Sequence, residues 1–97
     1  MPQFDVFALA DGGLVVDCQA DLLRQLDSRL VVPLLPAGLV DVVQRLNPAF
    51  VIDGQQFHLY PQGAATVPRS ELRTLRASLG EQHYVIMNAL DLLISGA

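Results

Sequence analysis

The side chains able to do chemistry are few in this sequence, and they stand apart. His58 and His83 are its two imidazoles and Cys18 its single thiol, and no acid or cysteine stands near either histidine at the spacing that holds a metal. Ser28, Ser70 or Ser78 could be matched on paper with a histidine and an acid, but no Gly-x-Ser-x-Gly elbow accompanies any of them. There is no Cys-x-x-Cys and no His-Glu-x-x-His, and a chain without lysine cannot form a Walker loop. General acid–base work needs a carboxylate or imidazole set in a pocket. Asp17 closes an apolar run and Asp53 begins an Asp-Gly turn, so each has a structural explanation. These residues predict a protein that is not an enzyme and holds neither cofactor nor metal.

Charge narrows the class further. Ten acids against six arginines give a net charge of −4. Nucleic-acid binding draws its affinity from a basic face that displaces counterions, and only Arg69, Arg73 and Arg76 approach a cluster. That cluster reads as a solvated edge. The chain is 52% hydrophobic and only 16% charged, more apolar surface than one domain of this size hides by itself, which predicts a subunit interface. Residues 1–97 make one domain. Cys18 reads as a small buried hydrophobe in a reducing, cytoplasmic setting. The start of the chain lacks the basic and apolar regions of a signal peptide, and no apolar run is long enough to span a membrane.

The elements that must position these residues are mostly strands. Phe4 to Leu9 alternates imperfectly, Asp11-Gly12-Gly13 signals a turn, and Leu14-Val15-Val16 pairs back as a hairpin. Leu30 to Leu34 reads as a buried strand closed by Pro33, which cannot donate to a ladder. Phe50 to Tyr60 is the strongest local signal, with Asp53-Gly54 supplying the two positive-φ positions of a type I′ turn. Ala64 to Leu72 reads as extended, with Pro68 at an edge. Residues 20–26 and 37–47 have helical spacing but leave both helix and loop open. Glu81 to Ser95 predicts a helix with acid in its first turn. It is apolar nearly all round, so it needs cover on more than one side, and Asn88, Asp91 and Ser95 form a narrow polar stripe expected to face solvent.

Taken in order, Gln3-Phe4, Val16-Asp17-Cys18-Gln19-Ala20-Asp21, Arg29-Leu30-Val31-Val32-Pro33-Leu34, the Asp53-Gly54 hairpin, Val67-Pro68 and Asn88-Ala89-Leu90 resemble the CcdB toxins of bacterial toxin–antitoxin modules. Those carry V-D-x-Q-S-D, R-x-V-I-P-L, a Gly hairpin, V-P and N-A-I in the same order over essentially the whole chain. The resemblance implies a mainly β fold, an SH3-like antiparallel β-barrel with a small extra sheet and one C-terminal α-helix, assembled as a homodimer. It implies a poison of DNA gyrase, a topoisomerase, that binds the gyrase A subunit while the DNA is cleaved, and a CcdA-like antitoxin that wraps and removes it. Toxin and antitoxin together act as a repressor of their own transcription, the antitoxin supplying the DNA contact. By the same analogy the antitoxin footprint takes in residues 10–13 and 37–47. MazF-type endoribonucleases, which share this barrel and dimer, are the alternative, and a non-toxic antitoxin-binding homologue is another.

The family's gyrase-binding surface falls on Leu22 and Leu23, which keep their apolar character, and on Asp91, Ile94, Ser95, Gly96 and Ala97. At the C-terminal end the sequence departs from the family: Asp91 stands for an Asn, Ile94 for a Phe, Ser95 for the Trp that stacks on gyrase, and Ala97 for an Ile, while Gly96 is kept. A buried aromatic anchor is worth roughly 2 kcal/mol or more, and a Trp–cation contact adds about 0.5–2 kcal/mol. Two tips on a twofold dimer would together lose about 4 kcal/mol, near a thousandfold in affinity. The substitutions therefore predict weakened or lost gyrase poisoning on a retained fold and dimer.

Overall fold

The hairpin signals set the architecture. In the computed structural model, which describes residues 2–96, β1 (Asp5–Ala8) turns through residues 9–13 into β2 (Leu14–Asp17), with Val6 opposite Val16 and Ala8 opposite Leu14. The Gly13 N–H donates to the Asp11 carboxylate at 2.8 Å, the side-chain turn that Asp favours. β3 (Ser28–Pro36) runs antiparallel to β2. β4 (Ala49–Ile52) and β5 (Gln55–Leu59) form the second hairpin, and Asp53 and Gly54 between them take φ of 51° and 80°, as a type I′ turn requires. β6 (Ala65–Pro68), β7 (Thr74–Ser78) and α1 (His83–Ser95) complete the chain.

All seven strands belong to one antiparallel sheet of order β4-β5-β3-β2-β1-β7, with β6 branching from the first half of β3. Among the described residues the small extra sheet that the resemblance implies is not separate: β6 is a branch of the one sheet. The sheet curls into a half-barrel capped by the single helix. Its two path ends approach each other, since Arg76 on β7 reaches Asp53 in the β4–β5 turn at 2.6 Å.

Several sequence expectations are corrected. β3 does not stop at Pro33: it runs on to Pro36. Residues Ser28–Val31 pair with β6, and Leu34–Pro36 pair with β5 on the same side. Pro33 stands at the changeover, where its carbonyl accepts from the Tyr60 N–H at 2.9 Å and the ladder needs no donor from it. The stretch 64–72 is a strand only over β6. A 3-10 turn (Arg69–Glu71) then leads to β7, which its exposed, weakly apolar sequence concealed. Residues 20–26 and 37–47 form no α-helix. Glu81 lies in a 3-10 turn (Gly80–Gln82), and α1 begins at His83.

The sheet buries both faces. One carries Phe4, Val6, Val16, Val32, Leu34, Ile52 and Leu59 against Ile86, Ala89 and Leu90 of α1. The other gathers Phe7, Val15, Val31 and Leu72. Because side chains alternate along a strand, Asp17 and Arg29 fall on the second face, beside Val15 and Val31.

Candidate functional site

Asp17 and Arg29 are both fully buried and bonded to each other. The Arg29 Nε and Nη2 donate to Asp17 Oδ2 at 3.0 and 2.7 Å, and the Gln19 N–H donates to Asp17 Oδ1 at 3.2 Å. The remaining guanidinium arm points outward, Nη1 to the Arg24 carbonyl at 3.2 Å. Gln19 works from the same side: its Nε2 donates to the Leu23 carbonyl at 2.8 Å and its Oε1 accepts from the Leu30 N–H at 3.1 Å. The Gln3 N–H meets the Asp21 carboxylate at 2.8 Å. Residues 20–27, with a 3-10 turn at Asp21–Leu23, thus form a hook held from behind by polar groups.

The hook carries the apolar pair that the resemblance singled out. Leu22 is 90% exposed, and Leu23 and Leu26 are about half exposed. The helical spacing of these leucines suggests an apolar face turned inward; they project into solvent instead, an apolar tip on a polar mounting. The mounting is invisible to a reading of the residues alone, in which Asp17 is a strand end and Arg29 a scattered charge. The signal lies in the two resemblance motifs, Val16-Asp17-Cys18-Gln19 and Arg29-Leu30-Val31, each of which contributes one half of the ion pair.

Asp91, Ile94, Ser95 and Gly96 sit together at the end of α1; Ala97 lies outside the described residues. Ile94 is 80% exposed. The Ser95 hydroxyl donates back to the Asp91 carbonyl at 2.8 Å, so it closes on its own helix. Gly96 adopts the left-handed conformation, and its N–H donates to the Leu92 carbonyl, a glycine C-cap. Asn88, Asp91 and Ser95 are exposed as expected, with Tyr84 on the same side, while Ile86, Ala89 and Leu90 point into the core. Among the described residues no hydrogen bond joins this tip to the hook.

Residues 37–46 expose Leu39, Val42 and Val43 and are anchored at the buried Asn47. Its amide donates to the Leu59 carbonyl and to Gln62, and accepts from the Val43 N–H. The 10–13 turn borders a shallow groove of about 450 Å³ lined by Leu9, Asp11, Glu71, Arg73 and Thr74.

The residues that could do chemistry take other roles. His58 is half-buried, with Nδ1 on the Asn47 carbonyl at 2.9 Å. His83 is exposed and stands edge-on to Phe4 and Tyr84. Burial, with the neighbouring Asp17, pushes the Cys18 thiol up to about 12, an inert thiol. Burial also raises the Asp5 carboxyl. Arg69, Arg73 and Arg76 are exposed, and each donates to an acceptor on the chain itself: the Arg24 carbonyl, the Ser70 carbonyl and the Asp53 carboxylate respectively. Among the described residues no group of three or more His, Cys, Asp or Glu is placed to hold a metal ion, and no helix is long and apolar enough to cross a membrane.

Similar folds occur among solved mycobacterial proteins. An endoribonuclease from a mycobacterial species superposes with a TM-score of 0.75 at 12% identity, covering 94% of this chain and 88% of its own. The Mycobacterium tuberculosis toxin MazF-mt6 superposes with a TM-score of 0.72 at 17% identity, covering 90% and 92%. At such identities the likeness is one of fold. No curated protein matches the sequence. The model of the CcdB protein family matches residues 3–96, and the chain belongs to that family.

Proposed function

We propose that this protein is the toxin of a toxin–antitoxin pair, that it works as a homodimer by docking on the A subunit of DNA gyrase, and that it does so without catalysis. The observation that carries the reading is the leucine tip. Leu22 stands 90% exposed on a hook fixed by buried polar groups, where the family resemblance places target contacts. A solvent-exposed leucine on a rigid mount suits a protein interface better than a substrate pocket. The exposed Tyr84 and Val85 at the start of α1 favour a second copy as cover there, apart from the Asp91–Ser95 end of the helix. A CcdA-like antitoxin would neutralise the dimer, with DNA reached only through that partner. Because Asp91 and Ser95 hold the positions of the family's Asn and Trp, poisoning is weaker than in relatives that keep them.

The endoribonuclease reading draws on the two solved structures of like fold. It ranks lower because an RNA groove needs a positive face, whereas the chain carries −4 and, of its one arginine cluster, Arg76 is already paired with Asp53. The test is purified protein with gyrase and supercoiled plasmid, alongside an RNA incubation. The expected result is protein-linked cleaved DNA at high toxin concentration with the RNA intact. Plasmid left uncleaved at every concentration would sink the gyrase reading, and sequence-specific RNA cleavage would establish the enzyme.

A further inference from the structure

The hook over residues 20–27 pairs with no strand, and its 3-10 turn buries none of its three side chains. Hydrophobic cover is therefore not what orders it. Its carbonyls are held instead: Leu23 by Gln19 Nε2, and Arg24 by both Arg29 Nη1 and Arg69 Nη1. Arg29 has little freedom in this. Two of its donors are committed to Asp17 Oδ2 in the interior, and a planar guanidinium docked on one side has its remaining arm aimed by geometry.

We infer that Asp17, Gln19 and Arg29 are positioning residues for target binding. The buried ion pair aims one guanidinium arm at the Arg24 carbonyl, Gln19 holds the carbonyl before it, and together they present Leu22 and Leu23 as a preformed apolar knob. The inference rests on the proposed docking of this tip on the A subunit of gyrase. Because a loop ordered before binding loses less conformational freedom on association, loosening it weakens binding although no contact residue changes. Lysine cannot replace Arg29 here: an ammonium on Asp17 keeps the charge and loses the directed third arm.

The hook contains its own reporter. Trypsin cuts after Arg24 only when the hook opens, while Arg45, in the separate exposed stretch 37–46, reports opening elsewhere. The ratio of the two cleavage rates isolates the hook from any general loss of stability. Arg29→Lys and Gln19→Met are to be compared with the wild type for this ratio and for affinity to the A subunit of gyrase; Leu22→Asp, which leaves the mounting intact, tests the contact itself. Expected are a rise of about tenfold in relative cleavage at Arg24 and a fall of about tenfold or more in affinity for both mounting variants. Leu22→Asp is expected to lose about thirtyfold in affinity with an unchanged cleavage ratio. An unchanged ratio in Arg29→Lys and Gln19→Met overturns the inference, as does a raised ratio with wild-type affinity. If Arg29→Lys does not fold, Gln19→Met decides. Wild type and Leu22→Asp binding alike, or neither binding, would reject the proposed docking surface and the hook's docking role with it.

Discussion

The buried ion pair offers the most decisive thermodynamic test. Asp17 and Arg29 side chains have no exposure and are joined at 2.7 Å. Replacing Asp17 with Leu leaves the guanidinium in the interior with only the Arg24 carbonyl as a partner. Breaking a buried pair from one side costs about 3–5 kcal/mol, a large share of the roughly 5–15 kcal/mol that holds a domain together. Arg29→Met strands the carboxylate to a similar degree, since only the Gln19 N–H remains to it. The double variant removes both charges and refills the space with apolar atoms. What it loses is the hydrogen bond to the Gln19 N–H and one of two donors on the Arg24 carbonyl, about 1–2 kcal/mol in all. The single costs would sum to roughly 6–10 kcal/mol, so the double variant should be more stable than either single one, and the coupling energy large. Urea unfolding followed by circular dichroism at one fixed protomer concentration measures it. A double variant as unstable as the sum of the singles, or an Asp17→Leu cost below about 1 kcal/mol, would refute the view that this pair is a coupled buried unit.

Three further outcomes are expected. Ser95→Trp changes an exposed residue whose hydroxyl bonds only to its own helix, so stability should shift by less than about 0.5 kcal/mol while gyrase affinity rises about thirtyfold for each tip that engages, near a thousandfold for both; unchanged affinity by surface plasmon resonance would reject the mapping of the tip. Burial raises the Asp5 carboxyl above 3.8, so the folded state favours its protonated form, and that contribution, complete below the unfolded value, is lost as pH rises through the folded one. Asp5→Asn should therefore melt higher than wild type at pH 7.5, with the gain shrinking towards pH 3.5, and a lower melting temperature at pH 7.5 would contradict this. Ile86→Ala empties a fully buried site where α1 meets the sheet and should cost about 2–5 kcal/mol; a loss under 1 kcal/mol in chemical denaturation would mean the helix is not seated there.

The two hairpins and the helix were legible because their causes are local. Asp53-Gly54 favours one turn geometry whatever surrounds it, and the apolar spacing from Tyr84 to Ile94 reads as a helix before any partner is known. The resemblance motifs carried the family and, through it, the position of the leucine tip. β7 was illegible because an exposed edge strand has little apolar alternation to show. Residues 20–26 stayed ambiguous for a related reason. Leu22, Leu23 and Leu26 have the spacing of a buried helical face, and spacing says nothing of which side of a segment meets water.

By itself, then, the sequence determined the net acidic charge and also the strand-rich class, the turns and the C-terminal helix, since each of these elements follows from neighbours a few residues apart. Only the tertiary structure decided what Pro33, Asp17 and Arg29 do. Pro33 is harmless because β3 changes partners there. Asp17 and Arg29 meet because the β2–β3 register puts them on the same buried face. Twelve residues apart in the chain, they can find each other only once the sheet has formed, and that pairing turns an irregular stretch into a mount for exposed leucines.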